Sequence, residues 1–500
     1  MIYSERATNG MRVLERLAAQ STVALLACLL SLATAWLLLD YRGESLVYAG
    51  LVLGVLALVA AHNRGVAAAV AVIAVLNGIP FLDVERFVSP GVFRPSDLII
   101  LCLLGVLLVG GLSGLGLLSR ELKLVWAWAF LLIAWWLFTL LRTVLFEEVP
   151  FLQAALYGRD FLYFALLVPI FATTVRQQRE LIGFVTVICI GAAWHALGTL
   201  AIVGLGVSSG WLVHPVLTTD YEGLVRIYAY MTETAIFAVP VGVGLALLAT
   251  RPGVRLAGAA LFGIAAAGVL AQFGRMLYYS LALGLMAALF VWAIRPSVRA
   301  IAVRKAAAVL APIFAVGIAI ALVTGGIKVD SNPSSAAAAV SQRAFSGLEE
   351  IAEGSGTVSY RENITGQMQE ILGDNWAQGL GFLHPAARPQ PQLPDGSIRN
   401  NDVGIFNSLM TMGLIGTVLL YAPLLAVLWA LVRRSWQGRV FAVEWLAFAS
   451  VAWIVAVLVG SITLVTLFSV PGLALAGCIV ACALRLLDSG PTALATDPEG

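Results

Sequence analysis

Charged side chains are scarce in this sequence: only 12% of its 500 residues are Asp, Glu, Lys or Arg, whereas an ordinary soluble domain has about 25%. Hydrophobic residues make up 60% of the chain, and the mean hydropathy is +0.93. The formal net charge is +2 and no long basic run occurs, so we expect no nucleic-acid partner. This composition is typical of a protein that crosses a lipid bilayer many times, and the bilayer is its first expected partner.

Cysteine and histidine are also rare, with five and four residues respectively. All five cysteines lie inside apolar segments, where disulfide formation is not expected. Cys478 and Cys482 are four residues apart and share a helical face, but they lack the accompanying histidine or carboxylate ligands of a metal site. We therefore expect no metal, haem or other cofactor.

Apolar runs of about 20 residues, the length that crosses a bilayer as a helix, recur through the chain. Arg6, Arg12 and Arg16 precede the first run as in a signal peptide, but this run is too long and another span follows it, which predicts a retained first helix. We predict an all-α polytopic fold of about fourteen transmembrane helices, at residues 21–39, 46–62, 65–81, 97–118, 122–141, 152–174, 181–206, 228–249, 255–272, 276–294, 305–325, 404–432, 440–460 and 462–485.

The distribution of lysine and arginine predicts the orientation of these spans, because short cytoplasmic loops are enriched in both. If the N-terminus is cytoplasmic, alternate links hold most of the cations, and the links on the other side carry acidic residues instead. This alternation holds along the chain and predicts that both termini are cytoplasmic. The cations assigned to cytoplasmic links are Arg64, Arg120, Lys123, Arg176, Arg179, Arg251, Arg255, Arg295, Arg299, Arg304, Lys305, Arg433, Arg434 and Arg439.

One link, residues 326–403, is far longer than the others and is predicted to be extracytoplasmic. It divides the chain into an N-terminal transmembrane bundle (1–325), a loop domain (326–403), C-terminal transmembrane helices (404–486) and a cytoplasmic tail (487–500). Within the loop, Ile364, Met368, Ile371 and Leu372 fall on one helical face, and residues 340–351 show a less regular apolar pattern. We expect two amphipathic helices there, and long ordered loops are usually functional.

Arginines gather at the predicted outer face, where spans begin or the long loop runs. Arginine suits bidentate contact with phosphate, so several converging arginines could bind a pyrophosphate. The alternative is that each arginine extends to lipid headgroups or fixes topology. The candidate ligands of a pyrophosphate or glycan are Arg226, Arg275, Arg361 and Arg399, with the neighbouring Tyr228, Tyr279, Asn400 and Asn401.

Two charged residues lie within the sixth predicted span, in the stretch YGRDFLYF. Arg159 and Asp160 are adjacent, so on a helix they point in different directions and are expected to pair with other helices. Glu233, near the start of the eighth span, is a candidate partner for Arg159. A structural role in joining helices is favoured over contact with a substrate, because charges inside spans need a partner.

Several stretches together resemble the O-antigen ligase and O-antigen polymerase superfamily of integral membrane glycosyltransferases of the GT-C type. They are the long late loop, GDNWAQGLGF (373–382), the polar stretch IRNNDVGIFNSLMTMGLIG (398–416), and the helix starts VRIYAY and GRMLYYS. The resemblance covers roughly residues 150–432 in layout. It implies metal-independent transfer of a glycan from undecaprenyl pyrophosphate to an acceptor hydroxyl at the periplasmic face of the bacterial inner membrane, with no cofactor.

The resemblance also implies roles for the polar strip before residue 404. Ligases carry a histidine there, whereas this chain has Asn400, Asn401 and Asp402, which favours a polymerase. Asp402 would be the general base or would orient the acceptor, Arg399 would bind donor phosphate, and the asparagines would bind sugar hydroxyls. Asp402 could instead cap the following helix. His384 and His214 are other extracytoplasmic bases, of which His384 is included as a catalytic candidate.

The predicted function is therefore polymerisation of surface polysaccharide repeat units by an inverting mechanism. The expected partners are the undecaprenyl-pyrophosphate oligosaccharide, a glycan acceptor and, as in such polymerases, a chain-length regulator protein. A ligase that transfers the glycan to a lipid or another acceptor stays open as the first alternative. A flippase or transporter of lipid-linked glycans is the second, although no half-to-half repeat is evident. A structural scaffold fits the outward arginines poorly.

Overall fold

The computed structural model describes residues 54, 56, 59–76, 78, 95–111, 119–205, 216–221, 224–229, 231–272, 275–295, 365–383, 404–462 and 470–488. Within these residues the chain forms eleven principal helices and one hairpin. They are α1 (Arg64–Val75), α2 (Pro95–Gly111), α3 (Arg120–Phe146), α4 (Phe151–Thr174), α5 (Gln178–Leu205), β1 (Val216–Tyr221), β2 (Leu224–Ala229), α6 (Thr232–Leu248), α7 (Pro252–Leu270), α8 (Arg275–Ala293), α9 (Gly404–Trp436), α10 (Glu444–Gly460) and α11 (Val470–Asp488). A shorter helical stretch at 365–372 continues into a 3-10 turn, Gly373–Ala377.

Six of these helices, α3, α4, α5, α7, α8 and α9, contain stretches long and apolar enough to cross a membrane. Another four, α1, α2, α6 and α10, contain apolar stretches of 10–17 residues. Many large side chains on α3, such as Leu124, Phe130 and Leu131, are exposed, as expected for a helix that faces lipid. The chain is thus a multi-pass helical membrane protein by helix length and hydropathy.

Consecutive helices run in opposite directions except α8 and α9, which begin at the same end, so the bundle has two ends. We call the loop end the one where α1, α3, α5, α7 and α10 end and where α2, α4, α6, α8, α9 and α11 begin. The most extensive helix contacts are those of α6 with α7, α8 with α10, α4 with α11 and α3 with α4. Small residues allow close approach: a β-carbon at Gly268 of α7 would lie 2.4 Å from the Cβ of Ala196 on α5.

A buried ion pair and an arginine bound to a backbone carbonyl join helices at the opposite end. Arg295 after α8 contacts Glu444 at the start of α10 at 2.5 Å, and Trp292 also donates to this carboxylate at 3.3 Å. Arg64 at the start of α1 donates to the carbonyl of Thr174 at the end of α4 at 3.0 Å. Several of the cations that the sequence assigns to cytoplasmic links therefore also cap and join helices at this end.

Eleven of the fourteen predicted spans correspond to helices in the described residues. The prediction at 152–174 and the observed Phe151–Thr174 differ by one residue. The predicted runs at 21–39 and 305–325 lie outside the described residues, and only parts of 46–62 are described, so the structure shows fewer helices than fourteen. The predicted start of the span at 228–249 was wrong: Tyr228 lies in β2, which pairs antiparallel with β1, and α6 begins at Thr232.

Candidate functional site

A segment of the long loop enters the helical bundle at the loop end. We call it the docked segment, residues 373–383. The helical stretch that precedes it buries Met368 and Leu372 against Met410 of α9, with Ile371 packed beside them. This is the apolar face that the sequence predicts, so the amphipathic helix is confirmed for the described residues 365–372. The second predicted helix, at 340–351, lies outside the described residues, as does Ile364.

Helix α9 is broken where the docked segment meets it. Gly413 has φ +66° and ψ −172°, a conformation that only glycine adopts readily. The break leaves carbonyl groups without helical partners, and the docked segment supplies donors: the Leu380 amide binds the Met410 carbonyl at 2.6 Å, and the Gly381 amide binds the Thr411 carbonyl at 3.1 Å. Non-helical backbone at membrane depth requires such protein partners, so the break and the segment depend on each other.

Helix α3 holds the other side of the docked segment. The guanidinium of Arg142 donates to the carbonyl of Gly379 and, at 3.3 Å, to Oδ1 of Asn375. Thr143 Oγ1 accepts the amide of Phe382 at 2.9 Å. Two turns before Arg142 on α3, Trp135 Nε1 donates to the carbonyl of Met412 at 2.9 Å. Side chains of α3 therefore form hydrogen bonds with both the docked segment and the broken part of α9.

Phe382 anchors the end of the docked segment. Its side chain is fully buried, with its ring centroid 5.9 Å from that of Trp136 and 6.3 Å from that of Phe161. Gly158 of α4 provides the space, because a β-carbon there would lie 2.6 Å from the Phe382 ring. The anchor places the segment between α3, α4 and α9, inside the bundle instead of on its surface.

A buried charged cluster lies on α4 beside this anchor. Arg159 Nε is 2.8 Å from Oδ1 of Asp97, which is fully buried in the first turn of α2. Tyr163, one turn further along α4, donates to the same carboxylate oxygen at 3.1 Å, and Asp160 lies 3.9 Å from Arg159. The expected pairing of Arg159 with Glu233 was wrong, because Asp97 holds this position. These contacts fit the expected role of Arg159 as a link between helices.

Several helix starts meet at the loop end. Thr232 at the start of α6 donates to Gln272, just after α7, at 2.9 Å. The Ile405 amide, at the start of α9, donates to the Ser461 carbonyl at 2.9 Å. A β-carbon at Gly460 would lie 3.7 Å from Oγ of Ser280 in α8. The starts of α6, α8 and α9 are therefore neighbours, linked through the ends of α7 and α10.

Four of the predicted site residues lie in segments that reach this end of the bundle. Arg226 and Tyr228 lie in β2, shortly before α6, and Arg275 is the first residue of α8. Tyr279 lies in the second turn of α8 and is half-buried. The backbone thus brings the segments that carry these residues to one end of the bundle. The other predicted site residues, Arg361, His384, Arg399, Asn400, Asn401 and Asp402, lie outside the described residues, with Asp402 two residues before α9.

The sequence prediction did not include Arg142, the residue that binds the docked segment. Arg142 follows the predicted span 122–141 and precedes Glu147 and Glu148. The only sequence feature that could have identified it is therefore its position as a cation at the predicted outer end of a span. Asn375 and Gly379 lie in the GDNWAQGLGF stretch, whose sequence alone does not indicate that Arg142 binds it. Thr143 gives no sequence signal of its own, because a threonine inside a span usually bonds to its own helix, as Thr143 also does to Thr139.

No protein-family model matches the chain, and no curated protein matches it either. The resemblance to membrane glycosyltransferases rests on the motifs quoted above.

Proposed function

We propose that the chain is a membrane glycosyltransferase that polymerises surface polysaccharide repeat units. Its donor is a glycan on undecaprenyl pyrophosphate, its acceptor is a sugar hydroxyl, and the loop end faces the periplasm of a bacterial inner membrane with both termini in the cytoplasm. The observation that carries the proposal is the docked segment: a loop of the predicted extracytoplasmic side inserts between α3, α4 and α9, at the end of the bundle where α8 begins with Arg275.

The docked segment supports an enzyme because it gives the long loop a fixed position. A reaction between two large glycans requires groups held in a defined geometry, and a loop tied to the bundle through Arg142, Thr143 and Phe382 can provide it. The polar strip 397–402 lies between the docked segment and the start of α9. Both ends of the connection that carries this strip are therefore fixed at the loop end.

The broken helix α9 also bears on the transporter alternative, because transporters often use broken helices to coordinate ions near the membrane midplane. Here the carbonyls of Met410, Thr411 and Met412 accept from Leu380, Gly381 and Trp135. The carbonyl of Gly413 accepts from Thr417 at 2.8 Å. The carbonyl groups at the break are thus occupied by hydrogen bonds within the protein, chiefly to the docked segment. They are therefore not free to coordinate an ion, which favours the enzyme over an ion-coupled transporter.

In the proposed reaction the acceptor oxygen attacks C1 of the donor sugar, and the bond between C1 and the phosphate oxygen breaks. The pyrophosphate leaves with the electron pair, and arginines stabilise its developing charge. Arg226, Arg275 and Arg399 are the candidates for this role, with Arg361 from the loop. Asp402 takes the proton of the acceptor hydroxyl. Attack opposite the leaving group inverts the configuration at C1.

The test is incubation of the purified protein, in lipid nanodiscs, with an undecaprenyl-pyrophosphate oligosaccharide. Multimers of the repeat unit support the polymerase. Transfer only to an added lipid or other acceptor would support the ligase alternative instead. No glycan product in nanodiscs, together with movement of the lipid-linked glycan between leaflets of proteoliposomes, would replace the enzyme by a flippase.

Variants assign the roles within this reaction. Arg275→Ala and Arg399→Ala are expected to abolish transfer, because each removes a proposed partner of the pyrophosphate. Arg251→Ala is the control, since Arg251 is exposed at the opposite end of the bundle. Normal turnover in both variants would overturn the proposed binding of pyrophosphate. Asp402→Asn distinguishes a base from a helix cap, because asparagine still caps a helix but cannot take the proton.

A further inference from the structure

The docked segment carries one large aromatic side chain that is not packed into the bundle. Trp376 lies in the 3-10 turn Gly373–Ala377 and is 56% exposed. Within the described residues 365–383 it is the only large apolar side chain that is exposed. Neither the proposed pyrophosphate contacts nor the proposed base includes Trp376, so the function proposed above leaves its role open.

The geometry of the turn places Trp376 on a different side from the one bound to α3. Residues three apart lie on the same side of a 3-10 helix. Asn375 and Gln378 form one such pair: Gln378 Nε2 donates to Asn375 Oδ1 at 3.2 Å, and Arg142 donates to the same oxygen. Trp376 pairs in this way with Gly373, where a β-carbon would meet nothing within 4 Å. The indole therefore stands beside open space.

The backbone that carries Trp376 is held in place. The amides of Gln378 and Gly379 donate to the Asn375 carbonyl at 3.1 and 2.7 Å, and Arg142 binds the Gly379 carbonyl. Tryptophan offers a large, rigid contact surface that loses little conformational freedom on binding. An exposed indole on a fixed turn is therefore well suited to contact a ligand.

The surroundings of Trp376 indicate the chemistry of this ligand. The other exposed side chains of residues 365–383 are polar, namely those of Gln369, Glu370 and Asp374. The stretch contains no lysine, arginine or histidine, so its charge is negative. Its carboxylates repel phosphate groups, whereas they accept hydrogen bonds from hydroxyl groups. An aromatic surface beside such acceptors fits a neutral sugar ring and not an anion.

A tryptophan that faces lipid has different neighbours. Trp429 of α9 is 60% exposed, and Leu425, one turn before it on the same helix, is exposed as well. Such a continuous apolar surface is expected where a helix meets acyl chains. Trp376 has no exposed large apolar neighbour within the described residues 365–383, which argues for a glycan and against lipid as its partner.

We propose that Trp376 and Asp374 form a binding subsite for a neutral sugar ring of the glycan. The apolar face of the ring packs on the indole, and ring hydroxyl groups donate to the Asp374 carboxylate. Ligand sites commonly combine an aromatic surface with a few polar groups that fix the orientation of the ligand. The proposal rests on the function proposed above, to which it adds a place that holds the glycan apart from the pyrophosphate.

The test is fluorine NMR spectroscopy of the full-length protein, labelled with fluorotryptophan and placed in lipid nanodiscs. The chain has 13 tryptophans, and Trp376→Phe and Trp429→Phe identify the two resonances of interest by their loss. Three probes are added separately: inorganic pyrophosphate, a spin-labelled phospholipid, and the oligosaccharide released by mild acid from the undecaprenyl pyrophosphate of the source cells.

We expect the oligosaccharide to shift the Trp376 resonance and to leave that of Trp429 unchanged. The spin-labelled lipid is expected to broaden the Trp429 resonance only, and pyrophosphate to shift neither. A Trp376 resonance that the oligosaccharide leaves unchanged overturns the proposal, and broadening by the lipid then identifies Trp376 as a membrane anchor. A response to pyrophosphate as large as the response to the oligosaccharide overturns it as well.

Calorimetric titration with the same oligosaccharide measures the contribution of each side chain. Trp376→Ala is expected to weaken binding about tenfold, because it removes the aromatic surface, and Trp376→Phe is expected to weaken it less. Asp374→Ala is expected to weaken binding, whereas Glu370→Ala, with the same change of charge, is the matched control. Protected amides of Leu380 and Gly381 in hydrogen–deuterium exchange show that each variant keeps the docked segment in place.

Failure of the subsite and failure of the proposed function give different results. Multimers that form with the same KM in Trp376→Ala and in the wild-type protein overturn the subsite and leave the polymerase standing. Binding of the oligosaccharide at Trp376 without any multimers supports the subsite and contradicts the polymerase.

Discussion

Replacement of Gly413 by alanine tests whether the break in α9 and the docked segment depend on each other. A β-carbon at Gly413 would lie 2.3 Å from the carbonyl oxygen of Ala377, so either this contact opens or the helix straightens. In both cases the Met410 and Thr411 carbonyls lose the position that receives the Leu380 and Gly381 amides. We expect Gly413→Ala to release the docked segment while the rest of the bundle stays folded.

The size of the effect follows from the backbone of Gly413. Its φ of +66° with ψ of −172° costs a residue with a side chain about 1 to 3 kcal/mol. Since each 1.4 kcal/mol is about a factor of ten in an equilibrium constant, the docked state loses between about fivefold and about 150-fold in population relative to the undocked state. The close contact with Ala377 adds to this cost.

Hydrogen–deuterium exchange with mass spectrometry measures this loss directly. The amides of Leu380, Gly381 and Phe382 are hydrogen-bonded in the docked state, and their exchange is expected to accelerate by the factor given above. Gly366→Ala is the matched control, because Gly366 lies in the same loop and a β-carbon there meets nothing within 4 Å. Unchanged exchange in Gly413→Ala, or equal acceleration in Gly366→Ala, would refute the mutual dependence.

Three further changes test the neighbouring contacts. Phe382→Ala empties a fully buried site and is expected to weaken docking by about 3 to 5 kcal/mol; retained protection in the exchange experiment would contradict the anchor role. Arg142→Met removes charged hydrogen bonds, each contributing about 1.5 to 3 kcal/mol, and should accelerate exchange more than Arg142→Lys does; equal rates would exclude a specific guanidinium contact. Asp97→Asn removes the fully buried carboxylate that pairs with Arg159 and leaves only the more distant Asp160, and it is expected to cost up to about 3 to 5 kcal/mol. Thermal unfolding in detergent checks this loss, with the exposed Glu148→Gln as the control, and an unchanged midpoint would contradict it.

The sequence predicted the helices well where a long apolar run decides the outcome. Residues 404–432 were predicted as a span, and α9 is Gly404–Trp436. The prediction failed at 228–231, because the aromatic and β-branched stretch LVRIYA ends only two residues before α6 begins. A short apolar segment of this kind fits a strand or a helix equally well, and only the pairing with β1 decides between them.

The sequence indicated that residues 373–382 have an unusual backbone, but it did not predict which helices they contact. Its glycines indicate special backbone geometry, yet the contacts that require them are distant in the chain: a β-carbon at Gly381 would lie 2.4 Å from Oγ1 of Thr143. The partner of Arg159 was missed for a similar reason. Asp97 lies at the start of an apolar run, where an acidic residue usually has the simpler role of favouring a helix N-terminus.

The docked segment and the broken helix α9 pack closely against each other at the loop end. A β-carbon at Gly379 would lie 2.5 Å from the amide nitrogen of Gly413, and one at Gly413 would meet Ala377, so neither partner can change alone. Undocking would leave the Met410 and Thr411 carbonyls without donors at membrane depth, which is costly. The docked segment is therefore a fixed part of the bundle at the loop end.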